Sequence, residues 1–156
     1  MAETAKLEGL DDLKRAIANL AGDLKRKVVR SALRDAAKPM HKAMVAAAPV
    51  LKEVHPYRLP GTLKKSILVK ASKRFKGKGG EIGVYIAVRK RKGLGGKAGA
   101  RNPFDPFYWR FVEFGTKKMA AKPFMSPAFN ANAQGAIQIF QARLKTRIDK
   151  ANTRKP

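Results

Sequence analysis

The sequence predicts an α+β fold: N-terminal helices and a long C-terminal helix packed on one face of a small antiparallel sheet with long basic loops. Three observations carry this. Apolar residues recur every three or four positions near both ends of the chain, as on the buried face of a helix. Two short central stretches instead alternate with a period of two, as strands do. At 156 residues, the length suits one folding unit around a modest core. That unit is placed at 9–149, between flexible termini at 1–8 and 150–156.

Leu10, Leu13, Ile17, Leu20 and Leu24 share one face of a first helix. Gly22 and Asp23 interrupt it, and Asp23 suits the N-cap of a second helix that turns Leu24, Val28, Leu33, Ala37, Met40, Met44 and Ala47 inward. Pro39 lies inside that pattern and predicts a kink or break near 36–40, because proline lacks a backbone donor and crowds the preceding turn. Ala48 and Pro49 end the helical region. Residues 51–61, with Pro56, Pro60 and Gly61, read as a loop.

Ile67, Val69 and Ala71 alternate with Ser66, Leu68 and Lys70, and Ile82, Val84, Ile86 and Val88 alternate with Gly83, Tyr85, Ala87 and Arg89. The intervening KRFKGKGG suits an antiparallel hairpin with a flexible basic tip. Residues 89–105, RKRKGLGGKAGARNPFD, predict a mobile excursion whose order depends on a partner. The aromatic run FDPFYWRFVEFGT at 104–116 is compatible with a strand or a short helix. Ser126 and Pro127 suit an N-cap and first-turn pair for a final helix that buries Phe129, Ala133, Ile137, Phe140, Leu144 and Ile148.

Charge narrows the function. The chain holds 35 Lys and Arg against 11 Asp and Glu, a formal net charge of +24, and most acids lie before residue 36. Such a field attracts phosphate or carboxylate surfaces and weakens with salt. Between Lys64 and Arg101 the only acid is Glu81, so Lys64, Lys65, Lys73, Arg74, Lys76, Lys78, Arg89, Lys90, Arg91, Lys92, Lys97 and Arg101 are the candidate contacts to DNA or an acidic partner. Phe107, Tyr108, Trp109, Arg110 and Glu113 are the candidate subunit-interface residues, since aromatics and arginine are enriched at interface hot spots. Core closure by Phe107, Phe111 and Phe114 is the competing reading of that run. Glu113 is expected to pair with Arg110 or Lys117, or with a basic group on a neighbour.

Catalytic signals are lacking. With no cysteine, disulfides, thiolate metal sites and thiol nucleophiles are excluded. His41 and His55 belong to no metal-binding spacing, and the adjacent Asp11 and Asp12 suit a helix N-terminus better than a paired-carboxylate site. The glycine-rich stretches lack phosphate-loop spacing. No catalytic residue, metal or cofactor is expected, nor a signal peptide or membrane span, since no apolar stretch approaches about 20 residues.

The succession GLDDL at 9–13, APV at 48–50, GTLKKSI at 61–67, YWRFVEFGT at 108–116 and AAKPFMSPAF at 120–129 resembles the head-tail joining proteins of siphophages, also called neck, tail-completion or minor tail components. The inserted LKEVHPYRLP and the glycine-rich stretch at 90–103 depart from the family pattern. The resemblance implies a virion protein assembled in the bacterial cytoplasm. It further implies a ring between the portal side and the tail tube, with connector or stopper and tail-terminator or tail-tube proteins as neighbours, and no catalytic residues. Composition alone fits equally a cellular, sequence-independent DNA- or RNA-binding protein, although no helix-turn-helix, zinc or RNA-recognition signature is present.

Overall fold

The computed structural model describes residues 10–19, 22–53, 56, 58–72, 82–90 and 99–153. In chain order these form α1 (Leu10–Ala18), α2 (Gly22–Ala47), α3 (Thr62–Ser66), β1 (Ile67–Ala71), β2 (Val84–Val88), α4 (Trp109–Phe114) and α5 (Met125–Asn152). The architecture is α+β, with helices from both ends of the chain packed on a two-stranded antiparallel sheet.

The long helices α2 and α5 form an antiparallel pair. Val28 and Ala32, early in α2, are buried with Leu144 and Ile148, late in α5; Ala16 and Ile17 of α1 close over this end. Met44 and Ala48 are buried instead with Phe124 and Ala128 at the start of α5, and with Leu63 and Ile67. The inward residues of α2 thus step by four, through buried Val28, Ala32 and Ala36, half-buried Met40 and buried Met44, and the small Ala32 and Ala36 let the two helices approach closely. Asp35 ties the pair at its edge, accepting from Lys38 at 2.7 Å and Arg147 at 2.6 Å. Those hydrogen bonds outweigh the opposing effect of burial and hold its carboxyl below the ordinary aspartate range.

Several expectations are corrected. Of the kink or break expected near 36–40, the break does not occur: α2 is helical through Pro39, the stripe buried on both sides of it offsetting one missing hydrogen bond. It begins at Gly22, so Asp23 stands in the first turn and not at the cap. Leu24 and Ala47 are exposed: Leu24 lies one turn before Val28, the first buried position of the stripe, and Ala47 falls outside the stripe. In α5 only Leu144 and Ile148 of the expected face are fully buried. Phe129 is exposed, and Ala133, Ile137 and Phe140 line a side groove with Leu33, Ala37, Met40 and Val84.

The hairpin follows the alternation. Ile67 pairs with Val88, Val69 with Ile86 and Ala71 with Val84, which puts the two apolar sets on a common face. Ile67, Ile86 and Val88 pack on the Met44–Phe124 core. His41 of α2 meets β1 from the side: its Nε2 lies 2.9 Å from the Ile67 carbonyl oxygen, to which the Nε2–H tautomer donates. Directly before β1 the chain makes an unanticipated short helix, α3, entered through Gly61 at φ 75°, a left-handed conformation that favours glycine.

The excursion expected at 89–105 does not extend over its last seven residues. Asp105, 2% exposed, accepts the Gly99 N–H at 2.7 Å; the Phe104 N–H donates to Asn102 Oδ1, and the Thr62 hydroxyl to the Pro103 carbonyl. Buried Asn102, Asp105 and Pro106 therefore anchor the approach to α4. The segment 73–80, expected to be a flexible hairpin tip, His55 and residues 91–98 lie outside the described residues.

Candidate functional site

The aromatic segment folds as α4, and one carboxylate fixes its position. Glu113, 4% exposed, faces the N-terminus of α5, where the first N–H groups of any helix lack intrahelical acceptors. Its Oε2 accepts from the N–H of Phe124 at 2.8 Å and Met125 at 3.0 Å; its Oε1 accepts from the N–H of Ser126 at 2.9 Å and the Ser126 hydroxyl at 2.6 Å. Burial pushes the Glu113 carboxyl up, but these bonds, led by Met125 and the Ser126 hydroxyl, outweigh it and hold the group below the ordinary glutamate range. Ser126 is consequently not the N-cap. Phe124 occupies that position without a side-chain capping bond, and the cap comes from eleven residues upstream.

Glu113 thus acts as an internal clasp, its oxygens held by backbone N–H groups and a hydroxyl and not by the Arg110 or Lys117 expected to pair with it. An acid among basic neighbours suggested a charged partner, but backbone N–H groups brought near only by folding satisfy it. The return between α4 and α5 is equally constrained. Gly115 has φ 74° and ψ −178°, and a Cβ there would stand 2.9 Å from Ala121 N and 3.0 Å from Met119 O. Thr116 and Met119 close the turn with reciprocal backbone bonds, the Thr116 hydroxyl oxygen accepts the Lys118 N–H, and the Lys122 N–H donates to the Val112 carbonyl.

On this clasped platform the aromatics divide by role. Tyr108, Trp109 and Val112 pack half-buried against the core. Burial raises the Tyr108 hydroxyl above its ordinary value, against the opposing charge of Arg58. Phe107 meets Tyr108 and Phe111 edge to face, Arg58 stacks near Phe107 and Tyr108, and Arg110 lies 5.5 Å from the Trp109 ring centroid. The outward aromatics are Phe111 at 48% and Phe114 at 72%, with Phe104 at 47% on the preceding turn. Of the expected interface set, Arg110 is exposed, Phe107, Tyr108 and Trp109 are half-buried, and Glu113 is internal. Within this segment the apolar surface open to a neighbour is therefore carried by Phe104, Phe111 and Phe114, which spacing in a short aromatic run could not separate from core.

The expected basic cluster is only partly gathered. Lys64 and Lys65 lie on α3, beside Arg89, whose N–H bonds the Ser66 carbonyl, and Lys90 is exposed next to it. Lys64 also donates to the Ala46 carbonyl at the end of α2, a favoured place for a cation. Arg101 is exposed on the turn before Asn102. Lys73, Arg74, Lys76, Lys78, Arg91, Lys92 and Lys97 lie outside the described residues. The two stretches that hold them attach at opposite ends of the hairpin, one after Ser72 and the other after Lys90.

Sequence reasoning missed a second basic surface. Arg26, Arg30, Arg34, Lys38 and Lys42 step by four along α2, like the buried stripe but displaced from it by two residues, or about 200° around the axis. An apolar groove of about 510 Å³, sharing Met40, Val84 and Phe129 with the side groove along α5, is lined also by Met44, Ile86 and Met125. Among the described residues no group of three or more His, Cys, Asp or Glu could hold a metal, and no helix is long and apolar enough to cross a membrane.

A search of curated proteins and a search of solved structures each gave no match. A family model described as "Bacteriophage HK97-gp10, putative tail-component" matches residues 11–115. The match runs from α1 through the hairpin and the aromatic α4 to Gly115, about two thirds of the chain. The chain therefore belongs to this family of bacteriophage tail components.

Proposed function

We propose that the protein is a non-enzymatic subunit of the phage neck, which forms a homo-oligomeric ring and joins the portal side of the DNA-filled head to the tail tube. The observation that carries this reading is membership in a tail-component family over residues 11–115, which include α4. The surface chemistry supports it. Phe104, Phe111 and Phe114 stand exposed on a segment locked by Glu113 and Gly115, so they offer apolar contact at little ordering cost. In a closed ring each subunit repeats the same contacts, and weak ones add through multivalency. Connector or stopper proteins on one side and tail-terminator or tail-tube proteins on the other are the partners in this reading.

The test is a phage carrying a nonsense mutation in the gene, complemented in trans. Without the protein, electron microscopy should show DNA-filled heads and largely formed tails that remain unjoined. A chain carrying Phe111→Ser and Phe114→Ser should stay folded, losing about 0.5–1.5 kcal/mol with the Phe107–Phe111 edge contact, yet fail to restore infectious titre. Normal joined particles in the absence of the protein would overturn the reading. Empty heads or absent tails would move its role to packaging or tail morphogenesis.

A further inference from the structure

We infer that the exposed ridge of α2, formed by Arg26, Arg30, Arg34, Lys38 and Lys42, is a docking surface for the phosphate backbone of duplex DNA. Four of these side chains are exposed and Arg30 is half-exposed. Successive members lie about 6 Å apart along the axis, and the row spans about 24 Å, the length of about seven base pairs. Among the described residues only Lys38 of the five has an ion-pair partner, Asp35, which Arg147 also holds. The ridge is therefore a row of one sign that winds around α2 by about 40° per member, following the buried stripe on the other side of the helix.

The shape and chemistry of the ridge favour a nucleic acid over an acidic protein. Lys27 and Ser31 lie between the cations, while the apolar residues of the same stretch face elsewhere: Val28 and Val29 pack in the second core cluster and Leu33 lines the groove. Protein interfaces rely on apolar and aromatic anchors, and here the exposed aromatics lie on α4, the turn before it, α5 and, as Tyr85, on β2, none of them on α2. A row of cations without anchors matches a regular polyanion, which it positions without reading sequence. Arg143 of α5, lining a shallow groove with Lys38 and Asp35, extends the positive surface sideways. The inference rests on the joining reading only for the source of the DNA, the packaged genome; its test uses the isolated chain, so the two can fail separately.

The experiment compares two variants of the full chain, each with four fewer positive charges. One carries Arg26→Gln, Arg30→Gln, Arg34→Gln and Lys42→Gln; the other carries Lys73→Gln, Arg74→Gln, Lys76→Gln and Lys78→Gln. Binding to fluorescent duplexes of unrelated sequence is followed by anisotropy across a salt series. The ridge variant should flatten the slope of log affinity against log salt by up to about 3.6, roughly 0.9 for each phosphate no longer neutralised, and the second variant by less. Glutamine is a good helix former, and circular dichroism checks that both variants fold. Lysine acetylation of the wild-type chain, read by mass spectrometry, needs no substitution: DNA should protect Lys42 and leave Lys117 and Lys118 reactive. An unchanged slope in the folded ridge variant, an equal flattening in the second variant, or a Lys42 equally reactive with and without DNA would each overturn the inference. Displacement of the DNA by polyglutamate at equal charge would also overturn it and assign the ridge to an acidic protein.

Discussion

Replacing Glu113 by Gln should cost the isolated chain about 2–4 kcal/mol of stability at neutral pH. The substitution keeps the side-chain length and one carbonyl oxygen but removes the charge, and it turns an NH₂ donor toward donors. Three backbone N–H groups and the Ser126 hydroxyl now converge on the carboxylate. Hydrogen bonds to a charged group contribute about 1.5–3 kcal/mol each when broken singly, and these four cannot be summed because they share one acceptor. An anion at a partly buried helix N-terminus contributes up to about 2 kcal/mol besides. Ser126→Ala, which removes one donor and leaves the charge, should cost less, about 1.5 kcal/mol.

Urea unfolding followed by circular dichroism measures both variants, and pH adds an independent signature. Because the folded chain holds the Glu113 carboxyl below its ordinary value, the unfolded chain binds the proton more readily. The stabilisation is complete above the ordinary glutamate range and is lost as pH falls from that range through the lowered folded value. The Gln variant should lack this part of the acid-limb decline and retain the part due to Asp35, whose carboxyl is also held low. A variant within about 0.5 kcal/mol of wild type at neutral pH, with an unchanged acid limb, would refute the clasp.

Gly115→Ala should destabilise the chain by roughly 3 kcal/mol, since its dihedral angles belong to a region reserved for glycine and its Cβ would meet the backbone of Ala121 and Met119; a wild-type thermal melt would refute this. A double-mutant cycle on Asp35→Asn and Arg147→Gln should give a coupling of only about 0.5–1 kcal/mol, because the Arg147 side chain is 37% exposed and solvent screens the pair. That coupling should disappear as acid protonates Asp35, and a cycle that closes to zero at neutral pH would show that the pair does not join α2 to α5.

Much of the architecture could be read without coordinates because it is written in local spacing. The period of two in Ile67–Val69–Ala71 and in Val84–Ile86–Val88 foretold which residues share a sheet face, and the register aligns those two sets. The motif order, from GLDDL to FVEFGT, pointed to the phage family that matches residues 11–115. The net charge also came from composition alone, as did the absence of cysteine chemistry.

What the tertiary structure alone decided concerns partners distant in sequence and the choice among competing apolar faces. Glu113 looked like a lone acid in need of a cation, and only the return at Gly115 brings the unsatisfied N–H groups of α5 to it. Phe111 and Phe114 carry the same periodicity as core residues, yet Tyr108, Trp109 and Val112 take the core side and leave those two in solvent. The basic row on α2 was present in the sequence at every fourth position. It became a surface only when the stripe two residues away was buried against α5, since a helix has an outside only after packing has chosen its inside.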